Sequence, residues 1–264
     1  MEKILLFDLD GTLLDSDKSI SPLTLNSIEK CKDKGFLIGV STARSEINSL
    51  KFLKEVEPDI IISSGGALVS YKGENIYKAE FSVEETKRII ELARELGGES
   101  IEITVDTVSC HYWNYSKNPL EDDPTWGDTT YSDYIDFNEK SLKICVELGD
   151  EDKAKKLAEQ IEHCHYVRFS DGNWFKFSKS TGTKDKGIIE LSKFLNIDLN
   201  DIVAFGDDFA DIEMLKICGK GIAMGNAIEA VKAIADEVID TNDNDGIAKY
   251  LLRNYIIITE FKKQ

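Results

Sequence analysis

Three short apolar runs mark the first quarter of the chain: Lys3 to Leu9, Phe36 to Ser41 and Asp59 to Ile62. They are continuous rather than alternating, which predicts strands buried on both faces. Ser21-Pro22 places a capping serine before a proline at the first helical position, and the predicted helix runs to Lys34 and stops at Gly35. Strands separated by helices and joined by right-handed crossovers stack into one sheet with helices on both sides. The expected fold is therefore α/β, a doubly wound parallel sheet with a Rossmann-like core.

The pattern changes near Phe81. Ser82-Val83-Glu84-Glu85 reads as a capping box for a helix to Leu96, with Gly97-Gly98 as its stop. Ile101 to Val105 and Leu142 to Val146 alternate apolar and polar residues, predicting antiparallel strands with one wet face. A helix is expected from Glu151 to Ile161, and Asn173 to Phe177 reads as a last strand. A stretch of this length is too long for a loop in a compact domain. It predicts an inserted α+β domain over residues 82–182, dividing the core into 1–81 and 183–264. The core pattern then resumes: helix from Lys186 to Leu195, strand from Asp201 to Gly206, helix from Phe209 to Ile217, strand from Gly221 to Gly225, and helix from Ala227 to Ala235. Tyr255 to Thr259 reads as one more strand.

Bulk composition narrows the partners. A net charge of −17 repels duplex nucleic acid and anionic membrane surfaces, so neither is expected as a partner. No segment reaches the ~18–20 continuous apolar residues of a membrane span. The N-terminal run is too short for a signal peptide, which points to the cytoplasm. The five cysteines form no Cys-x-x-Cys pair and fit reduced thiols. Cys110-His111 and His163-Cys164-His165 are read as sheet positions without a metal, because adjacent strand residues face opposite ways.

Ligands of open parallel sheets bind beyond the carboxyl ends of the strands. There the first strand delivers Asp8-Leu9-Asp10-Gly11-Thr12, with two carboxylates at same-side spacing. A later strand delivers Gly206-Asp207-Asp208, followed by Asp211. Five clustered carboxylates require a cation, and an oxygen-only donor set suits magnesium. Ser41-Thr42-Ala43-Arg44 offers a hydroxyl and free N–H groups near a helix start, a phosphate cradle. Lys184 precedes the helix leading to the acidic strand.

These segments carry a resemblance. Asp8-Leu9-Asp10-Gly11-Thr12-Leu13 resembles the first motif of the haloacid dehalogenase superfamily, and Ser41-Thr42-Ala43-Arg44 is similar to its second. Thr183-Lys184-Asp185-Lys186-Gly187-Ile188 resembles its lysine motif, and the segment from Gly206 to Leu215 its acidic fourth. Ala223-Met224-Gly225-Asn226-Ala227 is typical of the Cof-type hydrolases, in which an α+β insert is the cap domain. Order and spacing match over nearly the whole chain. There are two departures: Ala210 stands where the family usually has asparagine, and both Lys184 and Lys186 can be aligned, with Lys184 fitting better.

The resemblance implies a magnesium-dependent phosphatase acting on a small phosphorylated metabolite, such as a sugar phosphate, through an aspartyl-phosphate. Asp8 is then the nucleophile, Asp10 the proton carrier, and Thr42 and Lys184 hold the phosphoryl oxygens. Asp8, the Asp10 carbonyl and Asp207 hold magnesium, with Asp208 or Asp211 as support. Gly11, Ala43, Arg44 and Asn226 fall at the substrate. Cap aromatics such as His111, Trp113 and Trp126 are weighed for the leaving-group pocket, against a place in the cap core or surface. The same motifs serve a phosphomutase or phosphotransferase. A receiver-like signalling domain or a non-catalytic binding protein is the reading from another class, which the Asp8 and Asp10 pair opposes.

Overall fold

The computed structural model describes residues 3–169 and 172–256. The N-terminal part contributes β1 (Ile4–Asp8), β2 (Leu37–Ser41), β3 (Ile60–Ser63), β4 (Leu68–Tyr71) and β5 (Glu74–Lys78). The inserted part contributes β6 (Ile103–Asp106), β7 (His111–Trp113), β8 (Thr130–Tyr131), β9 (Lys143–Val146), β10 (Cys164–Arg168) and β11 (Phe175–Lys179). The chain then returns with β12 (Ile202–Gly206), β13 (Lys220–Ala223) and β14 (Glu237–Val238). Eight strands form one sheet in the order β14-β13-β12-β1-β2-β3-β4-β5, and six form a second in the order β10-β11-β9-β6-β7-β8.

The large sheet is parallel from β14 to β3. Every residue of β1 and β12 is buried, as their unbroken apolar runs require. Helices Pro22–Asp33, Glu46–Val56 and Lys184–Leu195 connect or follow these strands. Ser21 caps the first through its side chain, which accepts the Thr24 N–H at 3.0 Å. Phe7 and Phe205 are register partners on β1 and β12, and their rings stack at 4.8 Å.

The edge of this sheet departs from the parallel expectation. β4 and β5 form an antiparallel hairpin against β3. Its turn, Lys72-Gly73, has positive φ at both residues (50° and 84°). That is the backbone demanded by a tight two-residue hairpin, written here with lysine in place of the more telling asparagine. The helix expected over Phe209 to Ile217 opens as a 3-10 turn, Phe209–Asp211, before α-helix Ile212–Ile217. The helix expected from Ala227 shortens to Glu229–Lys232. Of the expected tail strand, Tyr255 and Ile256 instead close a π-helical turn, Leu252–Ile256, and the remainder lies outside the described residues.

The second sheet packs one face on helices Val83–Gly97 and Glu151–Ala158, with Ile103, Val105, Ile144, Val146, Phe175 and Phe177 in its core. Ser82 and Glu85 form the capping box at the start of the first of these helices. The alternation predicted a wet opposite face, but β6 and β9 are buried at every position. The polar residues Thr104, Asp106, Lys143, Lys176 and Ser178 are buried, and Asp106, Lys143 and Lys176 meet Ser64, Ala43 and Gly65 of the large sheet's domain rather than water. Alternation reports two different environments, and here the polar one is a domain interface. All five cysteines are free thiols. No helix among the described residues is long and apolar enough to cross a membrane.

Phe205→Ala should lower stability by about 3–5 kcal/mol in urea unfolding, the usual cost of emptying a buried phenyl site. A loss below about 1 kcal/mol would show that the β1–β12 seam is not the packed centre described here.

Candidate active site

Register sets the site. β1 pairs Asp8 with Ser41 at the end of β2, so Thr42 leaves the sheet beside Asp8. On the other side Phe7 pairs with Phe205, and β12 delivers Gly206 and Asp207 to the same edge. Asp8 and Asp211 are buried, and one oxygen from each of Asp8, Asp207 and Asp211 lies within 4.8 Å of the others. Lys184, also buried, places Nζ 2.5 Å from Asp8 Oδ1 and 2.7 Å from Asp211 Oδ1. Lys186 is exposed and pairs with Asp185 at 3.4 Å, so the geometry puts Lys184 at the acids.

The loop after β1 is fitted to this cluster. Gly11 adopts φ +82°, and a Cβ there would sit 2.4 Å from Asp207 Oδ2, so both conformation and space demand glycine. Thr12 Oγ1 donates to Asp207 Oδ1 at 2.7 Å. Asp211 Oδ2 accepts the backbone N–H groups of Asp207 and Asp208 at 3.0 and 3.1 Å, which fixes the acidic turn.

Burial pushes the Asp8 carboxyl well above the usual range, and Asp211 and Asp207 add to this against the opposing Lys184. Asp207 is raised to about 6 by burial, with Asp211 and Asp208 contributing. Burial would depress Lys184, but Asp211 and Asp8 outweigh it and hold the ammonium charged.

The charge count bears on a metal. Three carboxylates facing one ammonium leave two negative charges (3 − 1 = 2), and the donors are all oxygen. Such a set fits a hard divalent cation. Among the described residues, no other group of three His, Cys, Asp or Glu side chains lies close enough to share an ion.

The five expected carboxylates do not all gather. Asp10 turns to Arg44, with Nε 2.7 Å from Oδ2 and Nη2 2.8 Å from Oδ1, and Lys18 Nζ lies 3.0 Å from Oδ1. Burial would raise its pKa, but the Arg44 and Lys18 charges outweigh burial and lower it. Asp208 caps the 3-10 turn by accepting the Phe209 N–H at 2.7 Å. Alternate-residue spacing governs a strand, and β1 ends at Asp8, so Asp10 already lies in a loop where that spacing no longer aims the side chain.

The remaining expected residues fall as follows. Thr42 is buried, and its Oγ1 accepts the Arg44 N–H at 3.0 Å. The following helix begins only at Glu46, capped by Ser45, so Thr42 lies in the loop before it. Ala43 offers its carbonyl to Lys143 Nζ of the inserted domain at 2.7 Å. Asn226 donates to the Gly11 carbonyl at 2.7 Å and accepts the Asn242 N–H at 3.1 Å, so it braces the loop. Ala210 is exposed.

The inserted sheet closes over this edge. Lys143 Nζ also pairs with Asp106 Oδ2 at 2.9 Å, and Ser64 Oγ donates to the same oxygen at 3.0 Å. His111 Nδ1 lies 2.6 Å from Asp106 Oδ1. Burial would raise Asp106, yet Lys143 and His111 hold it far below the carboxylate range. His111 stacks on Trp126 within 8° of parallel, and Arg44 lies 5.7 Å from the Trp126 ring. Sequence reading passed over Asp106, Lys143 and Lys176. Their signal was available as polar positions at even spacing on strands that also carry core residues.

A parallel sheet that brings a buried aspartate pair and a lysine to its carboxyl edge, beneath a second α+β layer, defines a hydrolase class. The chain belongs to the Cof-type haloacid dehalogenase-like hydrolases: the family model for haloacid dehalogenase-like hydrolase matches residues 5–251. Among curated relatives, a 5-amino-6-(5-phospho-D-ribitylamino)uracil phosphatase of Bacillus subtilis is 28% identical over 261 residues, covering 94% of this chain and 96% of its own. A pyridoxal phosphate phosphatase of Escherichia coli is 24% identical over 272 residues, with 96% and 99% covered. Among solved structures, the subclass IIB sugar phosphatase BT4131 superposes with a TM-score of 0.83 at 28% identity, covering 96% of this chain and 99% of that one. The chain is accordingly a phosphoric monoester hydrolase.

The raised carboxylates give a stability signature. Asp207 holds its proton more tightly when folded, so its contribution is full below about pH 4 and lost as pH rises through about 6. In chelator, the melting temperature of Asp207→Asn should gain on wild type as pH climbs across that window, and a divalent cation should close the gap. A pH-independent difference would mean Asp207 does not sit in a like-charged cluster.

Proposed function

We propose that the chain hydrolyses a small phosphorylated metabolite by transferring the phosphoryl group to Asp8, with magnesium at the acidic cluster. The observation that carries the reading is Lys184 bridging Asp8 and Asp211, beside Asp207, in a buried site. A carboxylate raised by burial is a poor nucleophile unless cations hold it ionised, and Lys184 does this on one Asp8 oxygen. Asp8, Asp207 and the Asp10 carbonyl would hold the ion, with Asp211 fixing the acidic turn and Lys184. When bound, magnesium supplies the positive charge that offsets a dianionic phosphate approaching an acidic protein.

The free oxygen of Asp8 attacks phosphorus in line and the ester oxygen departs, so that one hard displacement becomes two easier ones. Lys184 and Thr42 steady the phosphoryl oxygens as charge shifts. Asp10 delivers a proton to the departing alkoxide and later removes one from the attacking water. In the resting site Arg44 and Lys18 keep Asp10 ionised. A bound phosphate competes for Arg44, and with that partner engaged elsewhere the half-buried Asp10 carboxyl takes up its proton. The inserted sheet, tied down by Lys143 on the Ala43 carbonyl and by Ser64 on Asp106, keeps bulk water from the phosphorylated Asp8. The phosphatases among the relatives, acting on phosphorylated small molecules, support a metabolite substrate.

A panel of metabolite phosphates assayed for released phosphate with magnesium tests this. Asp8→Asn should lose at least ~10³-fold in rate, a usual loss when a nucleophile is removed. EDTA should abolish turnover and added magnesium restore it. Turnover that survives either change would sink the mechanism.

A further inference from the structure

Lys176 on β11 is an uncompensated cation. The residue is only 5% exposed, and its ammonium makes no hydrogen bond or ion pair among the described residues. The carboxylates of the region are already engaged: Asp106 by Lys143, Asp8 and Asp211 by Lys184, Asp10 by Arg44, and Asp185, whose charge also reaches Lys176, by Lys186. A buried ammonium without a partner is costly, and proteins keep one where a ligand supplies the missing charge. Burial and the neighbouring Lys143 depress its pKa to about 8, the mark of a cation short of an anion.

Its position is specific. Nζ lies over Gly65, 2.5 Å from where an added Cβ would fall, and Gly65 takes φ +72°, a conformation that favours glycine. The Gly65 N–H donates to the Thr42 carbonyl at 2.9 Å, and Gly66 bridges to Thr183, the residue before Lys184. Lys176 therefore hangs from the inserted sheet over the loop that joins the Thr42 and Lys184 strand ends. Two residues along β11, on the same face, the buried hydroxyl of Ser178 also lacks a hydrogen-bond partner among the described residues.

We propose that Lys176, with Ser178 beside it, is the subsite for a second anionic group on the alcohol part of the ester. The preferred substrates are then phosphate monoesters that also carry a carboxylate or a second phosphate. This rests on the phosphatase reading above, which supplies the position of the first phosphate. The alcohol part must emerge toward the inserted sheet, because the strand edge beneath is filled by Asp8, Lys184 and the acidic turn. Lys176 is the charge it meets there that no protein group has neutralised.

Two ester pairs that differ in one anionic group test it: 3-phosphoglycerate against glycerol 3-phosphate for a carboxylate, and fructose 1,6-bisphosphate against fructose 6-phosphate for a phosphate. Wild type should favour the more anionic member of at least one pair in kcat/KM, and the pair that responds identifies the group. In Lys176→Met that preference should fall about 10- to 100-fold, the worth of a charged hydrogen bond. Calorimetric titration of the same esters into Asp8→Asn, with and without Lys176→Met, reads binding apart from turnover. A Lys176-dependent binding preference without turnover would indict the phosphatase reading alone. Turnover with the same preference in wild type and Lys176→Met would overturn the role of Lys176 alone. Lys176→Met should also melt at or above the wild-type temperature, since it removes a buried unpaired charge. A lower melting temperature would place Lys176 in an internal contact and overturn the proposal as well.

Discussion

Three carboxylates gathered at the end of two adjacent strands cannot share a buried site without compensation. β1 and β12 lie side by side, and their continuous apolar sequences bury the strands completely. The acids at their ends inherit that burial, which raises Asp8 and Asp207 out of the ordinary carboxylate range. Lys184 returns one positive charge, and the two that remain to be balanced make the site receptive to a divalent ion. The chemistry follows from the imbalance. A nucleophilic carboxylate, a cation to hold it ionised and a place for a dianion are consequences of one electrostatic arrangement, not separate inventions.

The second sheet extends the same logic. One of its faces is an ordinary apolar core, while the other carries Asp106, Lys143, Lys176 and Ser178 into a desolvated interface. Buried polar groups have to be satisfied, and Lys143 and Asp106 satisfy each other, the Ala43 carbonyl and the Ser64 hydroxyl. The bonds to Ala43 and Ser64 are made across the interface, so they favour the closed arrangement. What they leave unsatisfied is where a ligand contributes to recognition.

The core was legible because its signals were redundant. Apolar runs at β1, β2 and β12, capping residues such as Ser21 and Ser82, and acids directly after strands all pointed to one architecture. Lys184 could be preferred over Lys186 only from the resemblance of Thr183 to Ile188 to the family's lysine motif, and its ion pair with Asp8 separates the two by distance. The β4–β5 hairpin was hidden because Lys72 carries a positive φ without the asparagine or glycine that usually announces it. Asp10 was misjudged because β1 ends before it, and Arg44, some thirty residues away in sequence, decides where its carboxylate points. The polar face of β6 and β9 was misread for a different reason. A sequence records that alternate positions are polar but not whether water or another domain meets them. The short strand β14, with only Glu237 and Val238, carries too few residues for any periodicity to show.

The most direct measurement is peptide mass mapping of the protein, mixed rapidly with a turned-over phosphate ester and quenched in acid. The account predicts one added phosphoryl group on the peptide containing Asp8, lost once the substrate is exhausted. A phosphoryl group on a different residue, or turnover at full rate with no phosphorylated peptide at any mixing time, would contradict it.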